Sequence, residues 1–122
     1  QIFGQPDKMN WTPLEIVQSA ARLRGIAGAL IALPDGLLVA GQLPPGLNGE
    51  TIAAFVPQMF GRMQQYTKEL KLGDPGHLTI LIESVPLQIF KAGTVYLAVL
   101  GRAGEQLPKP QLTAIAAQLG QN

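Results

Sequence analysis

Apolar and polar positions change period several times along the chain, and each change marks an element. In "NWTPLEIVQSAARLRG" Leu14, Val17, Ala20, Ala21 and Leu23 recur at helical spacing. Thr12 stands where an N-cap is needed, Pro13 occupies the first helical position and Glu15 completes a capping box, so a helix starts here and Gly25 stops it. "AGALIALPDGLLVAGQLP" follows with two apolar runs, Ala27 to Leu33 and Leu37 to Gln42, parted by Pro34, Asp35 and Gly36. That is a hairpin signal. Neither run alternates cleanly with polar residues, so both faces of the sheet they enter are expected to be covered.

The longest periodic stretch is "ETIAAFVPQMFGRMQQYTKEL", which predicts a second helix from Glu50 to about Leu72, with Asn48 as a candidate cap and Gly73 as its stop. Ile52, Phe55, Val56, Met59, Phe60, Met63, Tyr66 and Leu70 form a broad apolar stripe for packing on the sheet. Pro57 and Gly61 interrupt this regularity, and relative to alanine they cost a helix interior roughly 3 and 1 kcal/mol. Together with Ala53 they fall at four-residue spacing on a separate line, bordered by Ala54, Gln58, Arg62 and Gln65. Such a line is either a tolerated kink on a surface helix or a place where another backbone comes close.

Three short strands are expected next, His77 to Ser84, Leu87 to Ala92 and Thr94 to Arg102. Their short connections make a meander the simplest topology. "PKPQLTAIAAQLG" closes the chain as a third helix with Leu112, Ile115, Ala116 and Leu119 on one face. The opening "QIFGQPDKMN" is polar around Gly4 and Pro6, so residues 1–11 read as an N-terminal arm or linker before a single domain of residues 12–122. A first residue of Gln1 rather than methionine is expected of a segment of a longer protein.

Composition sharpens this picture in one respect. Apolar residues make up 47% and charged ones 14%, little polar material with which to cover a monomer, so self-association or a partner is expected. The formal charge is +1 and the basic residues form no run, which argues against nucleic acid and polybasic membrane binding. No apolar stretch approaches the ~20 residues that span a bilayer. The expectation is a cytoplasmic domain without membrane insertion.

Candidate chemistry is sparse. The one histidine, His77, opens a strand, and Ser19 and Ser84 stand in no nucleophile elbow. With no cysteine and scattered carboxylates there is no ligand pair for a metal, and none is expected. "GQLPPGLNG" lacks the Lys-Ser/Thr of a P-loop. An enzyme is therefore poorly supported, and no cofactor is expected.

The first helix, the "GALIALPDGLLVAGQ" hairpin, the long helix after it and the "FKAGTVYLAVLGRAGEQL" strands resemble the Roadblock/dynein light chain family over about Thr12 to Leu119. That resemblance implies an α+β fold with a five-stranded antiparallel sheet in the order 2-1-5-4-3. The long second helix would lie on one face and the other two helices on the opposite face. It further implies a homodimer joined through the third strand and second helix, and a non-catalytic regulator or scaffold of a Ras-like small GTPase. The expected dimer interface is Ala53, Ala54, Pro57, Gln58, Gly61, Gln65, His77, Thr79, Leu81 and Glu83. Gln58, Arg62, Gln65 and Lys68 are the expected contacts of the GTPase. A ligand-sensing domain of the PAS or GAF kind is the alternative, because it too wraps helices around such a sheet, but it normally keeps convergent polar groups in a pocket.

Overall fold

The capping box at the start of the first helix forms as its sequence predicts. The Glu15 amide donates to Thr12 Oγ1 at 3.1 Å and the Thr12 amide donates to Glu15 Oε1 at 3.0 Å. The structure is a computed structural model, and residues 11–121 are described. Its elements are α1 (Pro13–Ala21), β1 (Ile26–Ala32), β2 (Leu38–Gln42), α2 (Gly49–Glu69), β3 (His77–Ile82), β4 (Val85–Ala92), β5 (Val95–Gly101) and α3 (Lys109–Gln121). Of the expected N-terminal arm, residues 1–10 with Ile2 and Phe3 lie outside the described residues. Trp11 is half-buried and packs against the core of one face.

The five strands form one antiparallel sheet in the order β2-β1-β5-β4-β3. The hairpin and the meander are both present, and the β1–β5 pairing joins them into a continuous sheet, the order that the family resemblance implied. Both faces are covered. Ile16 and Val17 of α1 and Leu112 and Ile115 of α3 pack with Ile31, Phe90, Leu97 and Val99 on one face. Val56 and Phe60 of α2 pack with Leu30, Ile89, Tyr96 and Ala98 on the other, the Phe60 and Tyr96 rings 5.5 Å apart. Alternate residues of β1, β4 and β5 thus enter opposite cores, which is why these strands are apolar on both sides.

Three sequence expectations are corrected. The buried stripe of α1 is Ile16, Val17 and Ala20, whereas Leu14 is exposed, because the helix turns its 16-17-20 row to the sheet. The third strand stops at Ile82 rather than Ser84, since Glu83 adopts φ +57° in a tight turn to β4 that no glycine announces. Finally, α2 ends before Leu72. The Leu72 amide donates to the Thr67 carbonyl and the Lys71 amide to that of Lys68, a Schellman arrangement in which Lys71, at φ +62°, takes the place usually given to glycine.

Candidate interaction surface

The long helix α2 has four sides of different character. It begins at Asn48, whose side chain accepts from the Thr51 amide at 3.1 Å, and runs through Pro57 without a break. Proline has no N–H for the Ala53 carbonyl, and in this disturbed turn the Gln58 side-chain amide donates to the Ala54 carbonyl at 3.1 Å. Ala53, Val56 and Phe60 are fully buried on the sheet, with Ile52 and Met59 half-buried beside them. Ala53 is therefore core. Its small side chain lets the helix lie close to the sheet, and the expectation that it lines a surface ridge with Pro57 and Gly61 is overturned.

The expected core stripe is only partly buried. Phe55 is 54% exposed, Met63 41%, Tyr66 49% and Leu70 68%. With the half-buried Met59 between the first two, these residues recur at three- and four-residue spacing, so they form one flank of α2 that the sheet does not cover. The opposite flank holds Ala54, Pro57 and Gly61 and leans toward the β1–β2 turn. There a Cβ on Gly36 (φ +89°) would come within 3.1 Å of Ala54 Cα, so glycine is needed for the close approach. Gly61 faces open space. Pointing away from the sheet, the outer side carries Gln58, Arg62 and Gln65, while Lys68 continues the line of Pro57 and Gly61 on the second flank; all four are exposed.

The sheet edges differ in the same direction. On one edge, β2 is five residues long, and its register with β1 slips between Ile31 and Ala32 so that Val39 has no partner. A bulge of this kind blunts an edge. On the other edge, β3 pairs with β4 residue by residue from His77 to Ile82 without a slip. Leu81 and Ile82 are 67% and 52% exposed, and no carboxylate, lysine or arginine lies within the strand. An apolar groove of about 310 Å³ runs beside this edge, between Ile52, Phe55 and Met59 of α2 and Ile82, Leu87 and Leu100 of the sheet.

A second groove, of about 690 Å³, lies on the opposite face between β3 and the β5–α3 connection. Thr79, Leu81, Glu83, Glu105, Leu107 and Lys109 are among the residues that line it. The β3 residues His77, Thr79 and Leu81 share this face, and Glu83 stands in the turn at the strand's end. The His77 ring is 5.6 Å from that of Phe90.

Among the described residues, the histidine and the serines that a Ser-His-Asp triad would need are not brought together. His77 opens β3 and Ser84 lies in the turn beyond its other end, roughly 20 Å away at ~3.3 Å per residue, and Ser19 is on α1. Asp74 accepts a 3.4 Å hydrogen bond from Gln64 rather than facing His77. Among the described residues no group of three His, Cys, Asp or Glu could hold a metal ion, and no helix is long and apolar enough to cross a membrane.

Sheet order, helix placement and an open edge beside the long helix define a Roadblock-type α+β domain. The sequence matches the Roadblock/LC7 domain over residues 13–101, and the chain belongs to that family. Two uncharacterized proteins of Methanocaldococcus jannaschii are each 28% identical to it over 92 residues, which cover 75% of this chain and 81% of the relative. The fold is similar to a Roadblock/LC7 domain from Streptomyces avermitilis, with 20% identity, a TM-score of 0.71 and coverage of 86% of this chain and 88% of that one. Myxococcus xanthus MglB gives a TM-score of 0.78 at 12% identity, over 88% of this chain and 90% of that one. An MglB in a tetrameric arrangement gives 0.78 at 20%, over 88% and 85%. Family membership sets aside the PAS or GAF alternative.

Proposed function

We propose that this Roadblock domain is a non-catalytic, cytoplasmic homodimeric module that regulates or scaffolds a Ras-like small GTPase. The observation that carries the dimer is the pairing of a regular, uncharged β3 edge with an exposed apolar flank of α2. Unpaired strand edges and contiguous apolar flanks are the surfaces that proteins cover. Antiparallel pairing of β3 with its counterpart continues the sheet across a two-fold axis, as an isologous contact requires. It brings His77, Thr79, Leu81 and Glu83 to the junction, while Phe55, Met63 and Tyr66 meet the partner helix over the apolar groove. The MglB of similar fold in a tetrameric arrangement supports association by this kind of domain.

With α2 paired along its apolar flank, its outer side stays free. Gln58, Arg62 and Gln65 then form a polar strip, joined by Lys68 from the adjoining flank and doubled across the dyad, for the GTPase. A regulator of this kind needs a shaped surface rather than an active site. The test is light scattering of the protein alone and mixed with each Ras-like GTPase of its source cell, loaded with GDP or a GTP analogue. The reading predicts a dimer that gains mass with one GTPase in one nucleotide state and loses that gain on Arg62→Glu. A monomer at micromolar concentration, or no gain with any GTPase, contradicts it.

A further inference from the structure

The apolar groove lies at one end of α2, and the other end of that helix is bare. The helix crosses the sheet obliquely. It starts over β2, where a Cβ on Gly49 would lie 3.3 Å from the Leu43 side chain and 3.4 Å from that of Leu38. It then passes Tyr96 of β5 at Phe60, and its end is joined through residues 70–76 to the start of β3. None of its buried residues lies beyond Phe60, and its last turns carry Tyr66 and Leu70, 49% and 68% exposed. The groove sits at the opposite end of this diagonal, among Leu47, Ile52, Phe55, Met59 and, at the end of β3, Ile82, with Thr51 as its one polar lining residue. Tyr66 and Leu70 continue the flank of Phe55, Met59 and Met63 at three- and four-residue spacing, so the bare turns and the groove lie on one side of the helix.

Within one chain the two ends cannot meet, because Phe55 and Leu70 are separated by about 22 Å of helix at ~1.5 Å per residue. A two-fold axis brings them together. Antiparallel pairing of β3 with its counterpart sets the start of the second copy's β3 beside the end of this one. The second copy's α2, which leads into that start on the same face of the sheet, arrives at the groove. Size also calls for such a contact. The six-residue edge of β3 is ~20 Å long and a sheet ~10 Å thick, which gives about 200 Å², a quarter of the ~800 Å² per partner in a stable interface. The helix must supply the remainder, and its exposed large apolar side chains are Phe55, Met63, Tyr66 and Leu70.

We infer that the groove receives the C-terminal turns of α2 from a second copy of the chain, with Tyr66 and Leu70 of that copy entering between Phe55 and Ile82. This rests on the β3-paired dimer proposed above and assigns its helix contact, the start of one long helix against the end of the other. The axis makes the exchange reciprocal, so each dimer holds two equal contacts. An open trough in one chain becomes a closed apolar contact in the pair.

The experiment mixes two single-cysteine chains of different mass, Thr51→Cys from the groove and Leu70→Cys from the bare end. The mixture is treated with a short bismaleimide and resolved by electrophoresis. Both positions are exposed, so neither change disturbs the core. The inference predicts that the Thr51→Cys chain joins the Leu70→Cys chain roughly tenfold faster or more than either joins its own kind, because like positions fall at opposite ends of the antiparallel helix pair. Phe55→Ala and Leu70→Ala should each raise the dimer dissociation constant about tenfold, and together by clearly less than the roughly hundredfold product of independent effects, since they remove one shared contact. Mass by light scattering on the untreated samples separates the outcomes. A dimer whose mixed product forms no faster than the like-with-like products, or whose two alanine effects multiply in full, overturns this inference and leaves the dimer standing, while a monomer overturns both.

Discussion

The two sides of the sheet are built from similar material and finished differently. On the β2 side the edge is short and bulged at Val39, and the flank of α2 above it holds small residues that abut the chain's own β1–β2 turn through Gly36 and Ala54. On the β3 side the edge is regular and carries no carboxylate, lysine or arginine, and the flank above it presents Phe55, Met63 and Tyr66. One side is closed by the chain itself. The other has an open edge and an exposed apolar surface side by side, and this contrast is what the proposed dimer rests on.

The largest break in that contrast should come from Met63→Asp, which puts a charge in the middle of the apolar flank. The dimer dissociation constant should rise about 100-fold, equivalent to ~2.7 kcal/mol, with helicity by circular dichroism unchanged. Next comes Ala53→Leu, which overfills the contact between α2 and the sheet. Denaturant unfolding of the monomer should show a loss of about 1–3 kcal/mol, whereas a surface position would show almost none. Leu81→Lys introduces the kind of charge that blunts natural edges, and sedimentation should show the dimer weakened roughly tenfold.

Gly61→Ala should act in the other direction. Its added methyl meets open space, so the helix should gain up to ~1 kcal/mol with the dimer constant unchanged. A dimer disrupted by this substitution would instead place the second chain on the Ala54–Gly61 flank. The smallest effect is expected of Val39→Lys on the bulged edge, within ~0.5 kcal/mol in stability and without effect on mass.

Local chemistry made most of this fold legible in the sequence. Thr12 and Glu15 declared the start of α1, Pro34-Asp35-Gly36 the first hairpin, and continuous apolar runs the doubly covered strands. The pairing of β1 with β5 joins residues some seventy positions apart, beyond the reach of periodicity, and it entered only through the family resemblance. Turns made with Glu83 and Lys71 at positive φ were hidden because neither residue signals that conformation.

The candidate site was less legible for a geometric reason. An apolar arc on a helix does not say how much of it the sheet will cover. The arc of α2 is wider than its contact, so the surplus at Phe55, Met63, Tyr66 and Leu70 read as core, and Ala53, small enough to fit the tightest contact, read as surface. The exposed β3 positions were located by the resemblance.

The most direct test of the central claim uses the absence of cysteine from the natural sequence. Single cysteines placed in turn at 77–82 of β3 and at 38–42 of β2 are oxidised mildly and resolved by non-reducing electrophoresis. Residues directly opposite in an antiparallel pair have Cα atoms about 4.5–5.5 Å apart, within the span of a disulfide. The account predicts efficient cross-linked dimers at one or two neighbouring positions near the middle of β3, where the two-fold axis passes, and none along β2. Cross-links along β2, or none on either edge from a protein that is dimeric by light scattering, would contradict it.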